Sequence, residues 1–396
     1  MQANKRSNEV DVIRMMALFG ICVVNIHFMA LPVEEIFAVP AMAADRMVGF
    51  LVECLFQLKF FLLFSFIFGW GVAIQQRGSS VQNTSAAAVT NQSAELPDQR
   101  QSFASHYFRR MAGLALIGVA HATLVFSGDI LVLYALLGTL LWFIKDFSVR
   151  KLLKVAGWMV PLSMLSLTAL AVILAEMVPT DVPQAGIVGG AVSGLAGSYI
   201  AATQQRISDW PTTFGFLLLL QGPLAFAAIA AGLAAAKADF FALGSSGYRW
   251  LVKQCPLLFI IALPLNVWYA AVMGGLISPA SEWLSLGGLV LAALAAPALS
   301  LVYLWLFIWF SRAITMPRLL LQAGKNTLSC YVLQGVIAGW VFGGYGLGQF
   351  GHHGQSMLLL LALGIALVSM LLVGLYATRV GRGPLEQLLR RISGQH

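Results

Sequence analysis

Residues 10–31 read VDVIRMMALFGICVVNIHFMAL, an apolar run that carries polar side chains, among them Arg14 and Asn25, that it does not need for crossing a membrane. The run is long enough to span about 30 Å of hydrocarbon as a helix. The eleven positions from Arg14 to Asn25 make about three helical turns, so both side chains lie on one face, roughly 16 Å apart. Polar groups at this depth usually face a protein interior or a water-filled cavity. The pattern therefore predicts one wall of an intramembrane site, although a snorkelling Arg14 beside a helix-packing Asn25 explains it equally well.

Composition extends this interpretation to the whole chain. Of 396 residues, 59% are hydrophobic and 10% are charged, against about 25% charged in ordinary soluble domains, and the mean hydropathy is +0.83. We expect an all-α polytopic integral membrane protein that forms a single transmembrane domain over residues 1–396, with about ten spans of sufficient length. These predicted spans are 10–31, 48–76, 107–127, 129–145, 151–178, 213–236, 250–276, 284–311, 324–346 and 356–379.

The net charge of +8 reflects topology rather than nucleic-acid binding. If both termini are cytoplasmic, all but four of the 24 Lys and Arg residues fall on the cytoplasmic side. The exceptions are Arg46 and Arg206 outside, and Arg14 and Lys59 within spans. This asymmetry follows the positive-inside rule and supports an even number of spans.

Three hydrophilic or amphipathic segments complete the predicted organisation. Residues 77–106 have few large apolar residues and are typical of a flexible cytoplasmic loop. Residues 179–212 are rich in Gly and Pro, which predicts an extracytoplasmic loop. Residues 380–396 place leucines at helical spacing beside two arginines, which predicts an amphipathic tail helix on the inner leaflet. The four cysteines lie within spans without metal or redox spacing, so they are interpreted as core residues.

His121 and Asp129 form the strongest chemical pattern. His121 lies eleven positions after Arg110, the same spacing as between Arg14 and Asn25. A second helix therefore places an arginine and a polar residue on one face. On a continuous helix Asp129 would be about 12 Å from His121, but a turn at Gly128 would bring the carboxylate within reach. A carboxylate then orients the imidazole and stabilises its protonated form. The alternative is a hydrogen-bonded core histidine.

Two further predicted spans carry polar residues with less specific roles. Glu53 and Lys59 are six positions apart, about 240° around a helix, so we do not expect them to pair with each other. A structural ion pair with another span is the simpler interpretation of each. Gln334 shares a stripe with Thr327 and Tyr331, and such uncharged groups either hold helices together or line a polar pocket.

Five ordered motifs resemble one family over nearly the whole chain. DVIRMMALFGICVVNI at 11–26 is similar to the opening signature of the YeiB family of multi-spanning bacterial membrane proteins. The later signatures of that family are matched, in order, by KFFLLFSFIFGWG at 59–71, HATLVFSGDILVLYALLG at 121–138, GKNTLSCYVLQ at 324–334 and GPLEQLLRRI at 383–392.

The resemblance implies an activity, because that family is grouped with the transmembrane acyltransferases. This clan includes bacterial sugar O-acetyltransferases and the lysosomal heparan-alpha-glucosaminide acetyltransferase, which move an acyl group from cytosolic acyl-CoA to a sugar on the far side. Their first helix carries an Arg followed eleven residues later by His or Asn, and Arg14 and Asn25 match the Asn version. Their catalytic His near the first helix has no counterpart here, because His27 lies on a different face; His121 is therefore the expected base.

The combined prediction is a transmembrane-acyltransferase-like bundle in the bacterial cytoplasmic membrane, with acyl-CoA as donor and no metal. Its expected partners are the lipid bilayer and an extracytoplasmic sugar or small-molecule acceptor. His121 deprotonates the acceptor or is transiently acylated, with Asp129, Asn25 and Gln334 completing the catalytic set. A transporter or exporter that uses the buried charges as a proton relay is the alternative, and an envelope scaffold is a third. The residues predicted to bind acyl-CoA are Arg14, Lys59, Arg110 and Lys325.

Overall fold

The computed structural model describes residues 8–36, 38–89, 98–177, 193–277 and 282–394, and among these it contains helices and no strand. A short 3₁₀ turn, Gly194–Ala196, precedes α8. The α-helices are α1 (Asn8–Ala30), α2 (Val33–Ile36), α3 (Ala43–Leu55), α4 (Lys59–Val89), α5 (Asp98–Leu124), α6 (Leu131–Leu141), α7 (Val149–Met177), α8 (Tyr199–Lys237), α9 (Ser246–Met273), α10 (Glu282–Ala313), α11 (Arg318–Lys325), α12 (Thr327–Phe342), α13 (Gln355–Val380) and α14 (Pro384–Ile392).

The all-helical, multi-pass architecture is confirmed, but the count of ten spans is not. Within the described ranges, seven segments are long and apolar enough to cross a membrane. The apolar helices α6 and α12 have only 11 and 16 residues, against about 20 for a full span, and α5 carries Arg109 and Arg110 near its middle. The seven segments are Asn8–Ala30, Ala43–Arg77, Val149–Ile173, Tyr199–Lys237, Ser246–Met273, Leu286–Ala313 and Gln355–Val380.

Helix α1 lies at the centre of one half of the molecule, where it packs against α4, α10, α11, α12 and α13. Its buried residues include Asp11 and His27 as well as the aliphatic side chains. Helices α4 and α8 form a second close pair because glycine allows their backbones to touch. A side-chain carbon on Gly69 would lie 1.9 Å from the Ile229 carbonyl oxygen, and one on Gly232 would lie 1.8 Å from that of Phe66. Gly69 and Gly232 therefore permit this close approach.

The predicted single helix over 48–76 is broken at residues 56–58. Helix α3 ends at Leu55, Leu58 adopts a left-handed backbone with φ of 66°, and α4 begins at Lys59. A non-glycine residue in this region is strained, so surrounding packing must hold it. Leu58 is 2% exposed, which provides that packing.

Both predicted loops are shorter than expected. Helix α4 continues to Val89 and α5 begins at Asp98, so of 77–106 only 90–97 lie outside the described residues. Polar composition suggested a loop, but residues 79–89 contain no Gly or Pro to end a helix. In the same way, the predicted extracytoplasmic loop 179–212 ends early, at Ser198. The Ser198 hydroxyl accepts a hydrogen bond from the Ala201 amide and caps the start of α8. Residues 178–192 of it lie outside the described ranges.

The tail helix α14 packs against α5 and α12, a contact that the sequence interpretation did not include. A side-chain carbon on Gly113 of α5 would lie 2.9 Å from Leu389 and 3.0 Å from Ile392. The Glu386 carboxylate accepts from the Leu328 and Ser329 amides at 2.8 and 3.1 Å. This carboxylate caps the start of α12, where free amides and the helix dipole favour a negative charge.

Candidate functional site

His121 and Asp129 are brought together by the turn that the sequence predicted. Helix α5 ends at Leu124 and α6 begins at Leu131, and the Nδ1 atom of His121 lies 2.8 Å from the Asp129 Oδ1 atom. The second carboxylate oxygen accepts from the Leu131 and Val132 amides at 2.7 and 3.3 Å. The carboxylate is thereby fixed at the start of α6, and it assigns the proton of a neutral His121 to Nδ1. The Nε2 atom is then left with a free lone pair.

The free Nε2 atom of His121 lies in a small buried pocket between α1, α5 and α12. His121 is 3% exposed, and Nε2 makes no hydrogen bond within the described part of the chain. The pocket holds about 10 Å³, which is at the lower limit of what a water molecule needs. Its polar wall consists of Asn25, Tyr331 and Gln334. Three of the four predicted catalytic residues, Asn25, His121 and Gln334, therefore share one pocket, and the fourth, Asp129, binds His121 from behind.

Helix α12 shapes this pocket with two residues that sequence analysis did not assign to the site. A side-chain carbon on Gly335 would lie 2.6 Å from His121 Nε2, so only glycine leaves this atom accessible. The Tyr331 ring lies 5.2 Å from the imidazole ring, and its hydroxyl faces the Asp129 carboxylate. The sequence did contain a signal for the role of these two residues. Tyr331 lies one helical turn before Gly335, so both residues face the same side of α12. Gln334 donates to the Leu18 carbonyl of α1 over 3.5 Å, a long contact.

A larger cavity of about 280 Å³ lies at the opposite ends of the same helices. It contains three of the four cations predicted to bind acyl-CoA, Arg14, Arg110 and Lys325. The tail adds Arg382 and Arg390, which the sequence analysis missed because it placed the tail on lipid. Arg14 also forms an ion pair with Asp11 at 3.6 Å. Since Arg14 and Arg110 precede Asn25 and His121 by eleven residues each, the cavity is roughly 16 Å from the histidine pocket.

Lys59, the fourth predicted cation, lies elsewhere. It is 1% exposed, and its ammonium donates to the Glu53 carbonyl oxygen at 2.8 Å and lies 5.5 Å from the centre of the Tyr269 ring. The Glu53 carboxylate interacts with this ammonium and with the Tyr269 hydroxyl. The ammonium thus contacts the backbone of Glu53, and no ion pair within 4.0 Å joins the two side chains in the described structure. The sequence interpretation assumed one continuous helix, whereas the break at 56–58 brings the Lys59 ammonium to the Glu53 carbonyl oxygen.

The described ranges contain no group of three or more His, Cys, Asp or Glu residues placed to hold a metal ion. The chemistry the site can perform follows from the polar groups themselves. An imidazole with one nitrogen held by a carboxylate and the other open is suited to accept a proton. Side-chain amides beside it can donate to a developing negative charge.

Fold and site together define a multi-pass helical membrane protein with a buried histidine–carboxylate pair between a cationic cavity and a polar pocket. Residues 235–394 match the family described as "Protein of unknown function (DUF418)". The chain is 26% identical over 413 residues to the "Uncharacterized protein YxaH" of Bacillus subtilis (strain 168), covering 98% of this chain and 94% of the relative. It is also 26% identical over 411 residues to the "Uncharacterized protein YeiB" of Escherichia coli (strain K12), covering 98% and 96%. No solved structure matches the chain. The resemblance to the YeiB family that the five motifs indicated is confirmed.

Proposed function

We propose that this protein is a membrane acyltransferase that moves an acyl group, such as acetyl, from cytosolic acyl-CoA to an extracytoplasmic hydroxyl or amine. The acceptor is a cell-envelope sugar or a similar small molecule, and the protein lies in the bacterial cytoplasmic membrane with both termini inside. One observation carries the proposal: the carboxylate-bound His121 has its free Nε2 atom in a pocket shared with two side-chain amides.

The donor side of the reaction is assigned to the 280 Å³ cavity. Five cationic side chains line it, against one carboxylate, that of Glu386. Coenzyme A carries phosphates, which such a cluster attracts by charge and by the paired donors of arginine. Apolar residues of α4, including Phe64 and Phe68, form the wall nearest the membrane interior. A pantetheine arm that extends along α1 and α5 from this cavity would approach the His121 pocket.

In the proposed reaction, His121 Nε2 takes the proton of the acceptor O–H or N–H group as its oxygen or nitrogen attacks the thioester carbonyl. Asp129 stabilises the imidazolium that forms. The amides of Asn25 and Gln334 donate to the oxygen that becomes negative. The C–S bond then breaks, and the coenzyme A thiolate takes the proton from His121. Because the pocket holds about 10 Å³, its walls must move apart before the two substrates meet.

The test uses the purified protein in nanodiscs with acetyl-CoA labelled in the acetyl group. We expect release of the free thiol and transfer of label to water or to an added sugar. His121→Ala should abolish both. His27→Gln is the matched control, because His27 is also a buried histidine of an apolar helix, 9% exposed, and does not line the pocket. Absence of thiol release and of bound label, or full activity in His121→Ala, would show that the proposed reaction is wrong.

One observation favours the transporter alternative, namely the buried cluster of Glu53, Lys59 and Tyr269, whose groups could pass a proton. That alternative predicts flux that depends on a proton gradient and no affinity for coenzyme A. Thermal unfolding with and without coenzyme A separates the two, because a ligand that binds the folded state raises its Tm. A Tm increase that disappears in Arg110→Gln supports the acyltransferase.

A further inference from the structure

Arg206 is a buried cation outside the proposed reaction centre. It lies in the second turn of α8 and is 4% exposed. On the proposed topology it belongs to the extracytoplasmic side, where Arg46 is the other basic residue. A buried guanidinium is expensive unless charge and hydrogen bonds compensate it. The partners of Arg206 therefore indicate what the position is built to hold.

All the contacts of Arg206 in the described structure are with neutral groups. Its Nη1 atom donates to the Leu124 carbonyl at 2.9 Å and its Nη2 atom to the Tyr345 hydroxyl at 3.0 Å. The rings of Tyr199 and Tyr345 flank the guanidinium at 5.9 and 5.8 Å. No carboxylate of the described residues lies within 4.0 Å of it. The nearby Asp209 instead accepts from the Gln205 amide at 2.8 and 3.0 Å.

Arg206 also lines a cavity that adjoins the histidine pocket. This cavity holds about 20 Å³. Two of its lining residues, Met29 and Phe126, line the His121 pocket as well, so these two side chains separate the spaces. An Arg206-bound molecule is thus one layer of side chains away from the proposed base.

Tyr345 occupies the place where a negatively charged oxygen would meet Arg206. Its ring fits only because Gly343 has no side chain, since a side-chain carbon there would lie 2.5 Å from the ring. The loop that follows contains Gly348 and Gly351 at φ of 65° and 75°, a conformation that favours glycine. A shift of this loop would move the Tyr345 hydroxyl away and expose the Arg206 guanidinium.

We propose that Arg206 binds an anionic group of the acceptor, a carboxylate or phosphate, in place of the Tyr345 hydroxyl, and directs the rest of the acceptor toward His121. The role in catalysis rests on the proposed acyl transfer, whereas the binding itself does not. Guanidinium–carboxylate and guanidinium–phosphate pairs are charge-assisted and often bidentate, so they are stronger than the neutral contact they replace. The ligand class is a sugar acid or the headgroup of an anionic lipid.

The experiment measures thermal unfolding of the full chain in phosphatidylcholine nanodiscs, without any acyl donor. Glucuronate is the soluble anionic probe, glucose is its neutral counterpart, and nanodiscs that contain phosphatidylglycerol test the lipid source. We expect glucuronate or phosphatidylglycerol to raise the Tm, and glucose to leave it unchanged. The half-saturating concentration should rise about tenfold or more in Arg206→Gln, since a charged hydrogen bond is lost.

Three further variants keep the test decisive. Arg46→Gln removes a cation from the same predicted side and should respond like the wild type. Tyr345→Phe removes the competing hydroxyl and should bind the anion more tightly. Arg206→Lys retains the charge and should keep part of the response if Arg206→Gln does not fold.

Equal responses to glucose and glucuronate, or no Arg206-dependent response to either glucuronate or phosphatidylglycerol, would overturn the inference. An Arg206-dependent response in a protein that never cleaves acyl-CoA would instead retain the anion site and reject the acyl transfer. The two proposals therefore fail separately.

Discussion

Two pairs of ionisable residues inside this protein differ in what surrounds them. His121 and Asp129 lie 2.8 Å apart, and the imidazole keeps one nitrogen open toward a pocket. Lys59 is equally buried and Glu53 is half-buried, but the Lys59 ammonium is held by the Glu53 backbone carbonyl and the Tyr269 ring. Neither Glu53 nor Lys59 lines any of the three cavities described above.

Burial of charge alone therefore does not identify a site. Both pairs are expensive to place in a membrane. A lysine held by a backbone carbonyl and an aromatic ring is expected to hold helices together, whereas a histidine that leaves one strong acceptor beside a cavity is expected to act on a ligand. Substitutions at each pair, and at contacts of decreasing burial, test this distinction.

Replacing His121, whose Nε2 atom is open to the pocket, should remove activity without unfolding the protein. His121→Ala should lower acyl transfer by about 10²–10⁴-fold, because a general base contributes that much. Asp129→Asn should also lower it, since the imidazole loses the group that sets its tautomer. The measurement is thiol release from acetyl-CoA per folded protein, with His27→Gln as control. Comparable losses in His27→Gln would remove the distinction between the two kinds of histidine.

Replacing Lys59 should lower the stability of the protein and leave its activity unchanged. Lys59→Met leaves the half-buried Glu53 carboxylate without its nearby cation, which we expect to cost about 1–3 kcal/mol of stability. The double variant Glu53→Gln, Lys59→Met should regain most of the lost Tm in thermal unfolding. Turnover per folded molecule should stay at the wild-type level in both. A large loss of turnover in the double variant would make this pair part of the mechanism and favour the proton-relay alternative.

Access to the Nε2 atom of His121 can also be blocked without changing any charge. Gly335→Ala places a carbon 2.6 Å from His121 Nε2, and a displacement of reacting groups on this scale lowers turnover by about 10²-fold. Gly364→Ala is the matched control, because nothing lies within 4 Å of a side-chain carbon at that position of α13. Unchanged turnover in Gly335→Ala would show that Nε2 does not need this access.

Glu386 tests a charged contact at the rim of the bundle. Glu386→Gln weakens the cap on α12, and loss of a helix cap costs about 0.5–2 kcal/mol. Thermal unfolding should show this loss, while the exposed Glu35→Gln should not. A Tm equal to that of Glu35→Gln would mean that the tail adds no stability through this contact.

The smallest effect is expected at the surface, where water replaces any lost partner. Asp146 lies in the turn between α6 and α7, and hydrogen bonds from Lys145 and then Gln76 lower the pKa of its carboxyl. Its side chain is 69% exposed, so Asp146→Asn should cost about 0.2–1 kcal/mol. A lowered pKa stabilises the folded state above the ordinary value for aspartate, and this contribution disappears as pH falls through the lowered pKa. Unfolding of the variant and wild type should therefore differ at pH 7 and converge in acid.

Periodicity predicted the parts of the site that lie on regular helices. The eleven-residue stripes placed Arg14 with Asn25 and Arg110 with His121, and Gly128 indicated the turn that brings Asp129 to His121. These features follow from helix geometry and from glycine at a turn, which a single sequence displays.

The rest depended on packing between distant segments. Leu58 gives no local sign that it will adopt a left-handed backbone, so the contact of Lys59 with the Glu53 carbonyl oxygen was hidden. Arg206 appeared to lie in a loop because Pro211 and neighbouring polar residues suggested one, yet α8 begins at Tyr199. The tail arginines line the cavity from a helix whose Glu386 caps α12 through the Leu328 amide, 58 residues earlier in the chain.

The docking of α14 also affects how this protein is best handled in the laboratory. The last described residue, Gly394, lies beside Arg109, and Ser393 lines the cationic cavity. A fluorescent protein or affinity tag fused at the C-terminus would therefore begin at the rim of the proposed donor site. Such a fusion can obstruct that opening while leaving membrane insertion intact, so localisation reporters and activity assays should use N-terminal fusions or a tag removed by protease.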